Sequence, residues 1–378
     1  MFKNRLYAPG PVEVPPQVLT AMSQPVMYHR GEKCKTLILK VRSQLADIAC
    51  VPGEDVLIVS GSGTAGFEAG LLACVPRAAK VIGVHAGKFG ERWVALARHH
   101  GFDVVEVAFP WGEAADTETL RKVLRDHPDA LAVMTTHSET STGVLHPIES
   151  LARTVREETP EALFLVDCVT SLGVAELRPQ EWGLDGVFAG SQKGLMTPPG
   201  LAFAWLSERA WERDENLVAG FYLDLRKERK SQSEGQTAYT PAVSLIMGLE
   251  AALELLLAEG IVAVWKRRER INRAILEAAS RLGCRPYAAR VSPAVAALRS
   301  PEGLSGPQIV SGFARRGVQI AGGQDHAKPF LFRPSVVGYA DAYDAVTVVA
   351  VLEDVLRDLG RDVPFGLGVG TAMRVIEE

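Results

Sequence analysis

Cysteine is scarce in this chain and shows no pairing pattern. The five cysteines, Cys34, Cys50, Cys74, Cys168 and Cys284, are scattered, odd in number and form no C-x-x-C pair. That excludes a disulfide framework and a cysteine-built zinc site, and fits a reducing compartment. Long apolar runs are also missing: no uninterrupted stretch reaches membrane-spanning length. The opening residues Met1-Phe2-Lys3-Asn4-Arg5 hold no apolar signal core, so a cytoplasmic location is expected. Neither charge sign dominates. With 41 Lys and Arg against 45 Asp and Glu the formal net charge is −4, which argues against a general nucleic-acid role. The one basic run, Lys266-Arg267-Arg268-Glu269-Arg270, reads as the solvated face of a helix. There is no internal repeat and no low-complexity tract.

What is present is ordinary soluble-protein chemistry, 47% hydrophobic and 23% charged over 378 residues. The length suits one large domain plus a smaller one. Pro9-Gly10-Pro11 and Pro15-Pro16 make residues 1–15 an extended arm. Helical spacing follows over 36–49, and then strand-like and helix-like segments alternate. Strands are expected at 56–59, 80–84, 104–107, 131–135, 163–167 and 201–206. Helices are expected at 65–74, 91–100, 117–126 and 148–157. The strands are continuously apolar rather than alternating, which signals an α/β fold with a mainly parallel sheet covered on both faces. After Pro241 the character changes to an apolar helix over 243–257 and a long charged helix over 262–282. A smaller α+β unit follows, with strands near 294–298 and 330–333, a helix at 307–316 and a final helix at 343–359.

Three features fall at the carboxyl ends of the strands, where such sheets bind ligands. Ser60-Gly61-Ser62-Gly63-Thr64 stands between a strand and a helix. Its glycines allow close backbone approach, and the helix N-terminus offers unpaired N–H groups to an anion. A tight turn with Thr64 as the N-cap is the alternative. It is not a Walker loop, because no lysine follows the last glycine. Asp167 closes an apolar strand, where a carboxylate is costly unless paired; it would suit a protonated pyridine nitrogen, or cap a turn. Lys193, in Ser191-Gln192-Lys193 ahead of Pro198-Pro199-Gly200 and the strand at 201–206, is badly placed for a surface residue. A Schiff-base lysine must spend time neutral, so its pKa must be lowered by desolvation or a nearby cation. Phosphate loop, strand-end aspartate and later-loop lysine together are the set that pyridoxal 5'-phosphate needs.

The chain resembles the class V aminotransferases of pyridoxal phosphate fold type I, in particular the alanine–glyoxylate and serine–glyoxylate branch. The stretches that carry the resemblance are Ala8-Pro9-Gly10-Pro11, Ser60-Gly61-Ser62-Gly63-Thr64, Thr136-His137-Ser138-Glu139-Thr140-Ser141-Thr142-Gly143, Val166-Asp167-Cys168-Val169-Thr170-Ser171, Ser191-Gln192-Lys193 and Phe332-Arg333. The resemblance implies an arm at 1–15 and a large cofactor-binding domain at 16–260 with a mainly parallel, seven-stranded-type sheet. It also implies a small C-terminal α+β domain at 261–378. Lys193 would carry the cofactor as a Schiff base and move the proton. Asp167 would meet the pyridine nitrogen. Ser62, Gly63 and Thr64, helped by Gln192, would hold the phosphate. Phe89 would stack on the ring and Thr140 would contact its hydroxyl. Thr237 and Thr240 would reach the phosphate of a neighbouring subunit, which implies a homodimer with shared sites. Arg333, here followed by Pro334, would grip the substrate carboxylate. No metal is expected. The reaction expected is transamination from serine or alanine to glyoxylate or pyruvate by a ping-pong cycle. Phosphoserine aminotransferase, a cysteine desulfurase-like lyase and a non-catalytic subunit of the same fold are the alternatives. His29-Arg30 bears on the first of these without deciding it. The second lacks a cysteine in the loop 321–330.

Overall fold

Apolar, β-branched runs that can be buried on both faces build the central sheet. The computed structural model describes residues 3–213, 217 and 220–378. In chain order the first elements are β1 (Arg5–Leu6), α1 (Pro16–Met22), α2 (Glu32–Ile48), β2 (Val56–Ser60), α3 (Gly63–Cys74), β3 (Lys80–His85), α4 (Lys88–His99), β4 (Asp103–Ala108), α5 (Thr117–Asp126) and β5 (Ala132–Thr136). A short hairpin of β6 (Ser138–Glu139) and β7 (Val144–Leu145) leads to α6 (Ile148–Glu158), β8 (Leu163–Asp167), α7 (Pro179–Trp182), β9 (Gly186–Gly190) and β10 (Leu201–Leu206). The helices α8 (Glu208–Trp211), α9 (Leu225–Ser233), α10 (Val243–Glu259) and α11 (Ile261–Arg281) follow. The chain ends with β11 (Arg285–Pro286), β12 (Leu298–Arg299), α12 (Gly306–Arg315), β13 (Val318–Gln319), β14 (Ala321–Gly322), β15 (Leu331–Arg333), α13 (Ala342–Asp358) and α14 (Leu367–Glu377).

The seven-stranded sheet has the order β2-β10-β9-β8-β5-β3-β4. All pairs are parallel except those of β10, which runs antiparallel to both β2 and β9. Every residue of β5, β8, β9 and β10 is buried, so these strands show no alternation. A second apolar core forms where α11, α12, α13 and α14 pack around Leu298 and Phe332. Its four-stranded sheet has the order β11-β12-β15-β14.

Several elements depart from expectation. The strand β9 was not foreseen, because Gly186-Val187-Phe188-Ala189-Gly190 is bracketed by glycines that read as turn residues. The chain does not end at α13: α14 packs on α11, burying Ala372 and Val375. In place of a strand at 294–298 only Leu298 and Arg299 pair. The extended arm is anchored at both ends, through β1 on β13 and a bridge from Glu13 to Gly338, with the Tyr7 hydroxyl donating to Asp344 at 2.7 Å. The basic run is solvated except at Arg268, which is buried on the inner face of α11. Its guanidinium donates to the carbonyls of Val336 (2.9 Å) and Gly338, so it holds the loop that follows β15.

Candidate active site

Strand ends and the loops after them enclose a cavity of about 310 Å³. Ser62, Thr64, Phe89, Asp167, Gln192 and Lys193 line it, with Gly10, Arg92, Trp93 and Thr140. One wall is the N-terminus of α3. The N-cap is Ser62, not Thr64, and its extended backbone opens the helix without spending its hydroxyl on a cap bond. That leaves an N-terminus free for an anion. Gly63 must be a glycine: a Cβ there would lie 2.4 Å from Val169 Cγ2. The Gln192 Oε1 is buried with no hydrogen-bond partner among the described residues.

Asp167 ends β8 and is buried. Its Oδ1 accepts from the Val169 N–H at 2.7 Å and its Oδ2 from the Trp93 indole N–H at 2.8 Å. Trp93 is itself fixed by stacking on Phe67, 4.1 Å between centroids. Burial is the main cause that pushes the Asp167 carboxyl up to about 6, against the pull of these two donors. A cation at the cavity face would restore the carboxylate.

Lys193 is 9% exposed and follows β9. Burial first, then the charge of Arg333, brings its amine down to about 8, while Asp167 works the other way. This meets the requirement for an amine that spends time neutral. The amine donates to the Pro9 carbonyl. Gly10, at φ +135, brings the arm so close that a Cβ would lie 2.4 Å from Lys193 Cε.

Arg333, at the end of β15, is buried. Its Nε donates to the Gly322 carbonyl at 2.8 Å and its Nη1 to the Thr140 carbonyl at 2.6 Å. Burial lowers it to about 10, opposed by Glu139. Pro334 sits where the strand has ended, and its carbonyl accepts from the Ala296 N–H at 3.0 Å. Thr140 is buried, its hydroxyl 2.7 Å from that of Thr170. Phe89 is half-buried, with the Arg92 guanidinium 4.9 Å above its ring centroid.

Thr237 and Thr240 are not among the residues of this cavity. The Thr237 hydroxyl donates to the Tyr239 carbonyl at 2.5 Å. Thr240 is exposed, beside Tyr28 and His29 on a separate surface pocket. Arg30 donates to Gln236 at 2.6 Å, which ties that segment to the same loop.

Sequence reasoning missed three contributors. Glu139 is fully buried and accepts from the N–H groups of Phe89 (3.1 Å), Gly90 (3.0 Å) and Ser141 (3.0 Å) and from the Ser141 hydroxyl (2.6 Å). It thereby holds the N-terminus of α4 in place; the signal was an acid within an otherwise hydroxyl-rich stretch. Trp93 lies one turn beyond Phe89 on the same helix face, an i,i+4 spacing that could have found it. Pro9 lies in a stretch that carries the resemblance, but only the fold brings its carbonyl to Lys193.

A larger cavity of about 590 Å³, walled by Val174, Trp265 and Leu276, holds no phosphate cradle and no lysine beside a buried carboxylate. Among the described residues no group of three or more His, Cys, Asp or Glu side chains is placed to hold a metal ion.

The sequence match follows the geometry. A family model for aminotransferase class-V matches residues 6–340. The chain belongs to the class-V aminotransferases. Its relatives and structural neighbours carry varied names. One is the small subunit of a soluble hydrogenase from Synechococcus sp., 37% identical over 99% of this chain and 98% of that protein. The structure of an aspartate aminotransferase from Thermus thermophilus superposes with a TM-score of 0.89 at 37% identity, covering 94% of this chain and 99% of the other. An alanine–glyoxylate aminotransferase from Nostoc sp. does so with a TM-score of 0.89 at 30% identity, covering 94% and 96%. As a class-V aminotransferase the protein acts on an amino acid and a 2-oxo acid and uses pyridoxal phosphate. The residues present fit that cofactor, on three observations. The α3 N-terminus has no side-chain cap among the described residues and is open to a phosphate. Gly63 keeps the cradle open. A buried carboxylate and a buried amine face the same cavity.

Proposed function

We propose that this aminotransferase moves the amino group of a small amino acid, serine or alanine, to glyoxylate or pyruvate in a ping-pong cycle. The observation that carries the reading is Lys193, a buried amine that shares the cavity with Asp167 and whose pKa is lowered by burial and by the charge of Arg333. When bound, the cofactor supplies an aldehyde for an amine and a ring that withdraws electrons from the α-carbon. Lys193 would hold the cofactor through that aldehyde, and its amine would take and return the α-proton. Asp167 would keep the ring nitrogen protonated. Ser62, Gly63, Thr64 and Gln192 hold the phosphate. Phe89 would cover the ring face, and Thr140 would meet the ring hydroxyl. Arg333 takes the substrate carboxylate with its remaining donors.

The remaining assignments belong with this reading. Thr237 and Thr240 serve a neighbouring subunit's cofactor in a homodimer, which fits their position outside the chain's own cavity. The chain divides into an arm at 1–15, a large unit at 16–260 and a small one at 261–378, in keeping with one apolar core drawn mostly from residues before Gly260 and a second drawn mostly from residues after it, though Val264 joins the first and Tyr7 the second. A cytoplasmic location accords with five free cysteines; among the described residues no helix is long and apolar enough to cross a membrane.

The test is the visible spectrum of the purified protein with its cofactor. A yellow absorption band that bleaches on adding L-serine or L-alanine, and returns with glyoxylate or pyruvate, is the expected result. A band that none of these changes would remove the reading. Phosphoserine turnover measured beside serine turnover separates this reading from a phosphoserine aminotransferase.

A further inference from the structure

The cavity holds one cation that the assignments above leave without work. Arg92 lines it and has neither an ion-pair nor a hydrogen-bond partner among the described residues. It is exposed on α4. Its guanidinium stands 4.9 Å over the Phe89 ring, three residues back on α4, an arrangement that stacks a planar cation and leaves its edge donors free. Nearby acids are already committed. Glu139 is spent on the first turn of α4 and on Ser141. Glu91 accepts from the Trp111 indole N–H at 3.0 Å. Asp325 pairs with Lys88 at 2.7 Å.

The strand order says which end of the cavity Arg92 occupies. The α3 N-terminus follows β2 at one sheet edge, and Arg92 follows β3, on the far side of β8 and its Asp167. Arg333 reaches the Arg92 side, since it bonds the Thr140 carbonyl in the segment after β5, the neighbour of β3. The Lys88–Asp325 pair links α4 to the segment just after Gly322, whose carbonyl Arg333 also holds. A phosphate at Ser62–Thr64 would therefore lie away from Arg92, while a substrate held by Arg333 would lie towards it.

We propose that Arg92 is a specificity-determining second anion receptor, taking the side-chain carboxylate of a dicarboxylic amino acid or 2-oxo acid while Arg333 takes the α-carboxylate. Two guanidinium groups then read the two carboxylates by bidentate hydrogen bonds. This rests on the transaminase reading and widens its substrate range beyond serine and alanine.

The experiment is steady-state kinetics of the cofactor-loaded enzyme with L-aspartate, L-glutamate, L-alanine and L-phosphoserine, for wild type, Arg92→Gln and Arg92→Lys. The expected result is that a dicarboxylate donor is turned over by wild type. Its kcat/KM relative to alanine should fall about ten-fold or more in Arg92→Gln and be partly kept in Arg92→Lys. A second readout needs no turnover: by calorimetry wild type should bind succinate more tightly than butyrate, and Arg92→Gln should lose that difference. An unchanged dicarboxylate-to-alanine ratio in Arg92→Gln would overturn the assignment, and so would wild type preferring phosphoserine to both dicarboxylates. Alanine turnover with rejection of both dicarboxylates would sink the assignment and leave the transaminase reading standing. No turnover of any donor would sink both.

Discussion

Lys193 shows how one residue trades stability for chemistry. Its folded pKa of about 8 lies below the ordinary 10.5 because burial disfavours the ammonium. The unfolded chain therefore binds more protons, and burying this amine costs stability below about pH 8, a cost that lifts as pH rises towards 10.5. In the cofactor-free protein Lys193→Met should be more stable than wild type at pH 7 by about 1–3 kcal/mol. Urea unfolding at pH 7 and at pH 10 tests this; an equal gain at both values would mean that burial of charge is not the cause. Arg333 makes the complementary case. It is held by two carbonyls and not by an acid, so its charge is available to a ligand. Arg333→Ala should raise KM and lower kcat for every carboxylate substrate, with kcat/KM down about 100-fold. Unchanged kinetics would place the carboxylate elsewhere.

At the scale of elements, α4 joins three parts of the site. Its N-terminal N–H groups are held by Glu139, its first turn carries Phe89, and its second turn carries Arg92 and the Trp93 donor to Asp167. Glu139→Gln would replace an acceptor-only carboxylate with an amide whose NH₂ meets donors. The expected cost is about 1–3 kcal/mol, with faster hydrogen exchange at Phe89 and Gly90 than in the rest of α4. Uniform exchange along the helix would show that Glu139 does not anchor its end. The role of α4 was only half legible in advance. Phe89 stood out through the glycines around it, but Glu139 lies fifty residues away on a different loop, and no local pattern links the two. β9 was hidden for a different reason: its terminal glycines suit close packing, where Gly186 leaves no room for a Cβ beside Leu165 and Phe188, yet in a sequence they read as turns.

The whole molecule places loops from both ends of the chain around one cavity. Gly10 of the arm and the segments after β2, β5, β8 and β9 line it, the Pro9 carbonyl accepts from Lys193, and Arg333 of β15, though not among the lining residues, bonds the carbonyl of one of them, Thr140. Thr237 and Thr240 do not line the cavity. If they serve a partner, the protein should run at twice its chain mass of 40.8 kDa in light scattering with the cofactor bound. A monomer that keeps full activity would exclude the shared site. Apolar continuity in the strands, glycine and proline punctuation, and the order of Ser62–Thr64, Asp167, Lys193 and Arg333 were enough by themselves to determine the α/β fold and the class of cofactor, because these are local or one-dimensional signals. The tertiary structure alone decided which groups meet. It buried Arg268 within a run that reads as surface, brought the Pro9 carbonyl to Lys193, gave Asp167 its Trp93 donor, and left Arg92 at the cavity without an ion-pair partner among the described residues. Pairings between residues far apart in the chain depend on strand order and packing, and a single sequence carries no periodicity that encodes them.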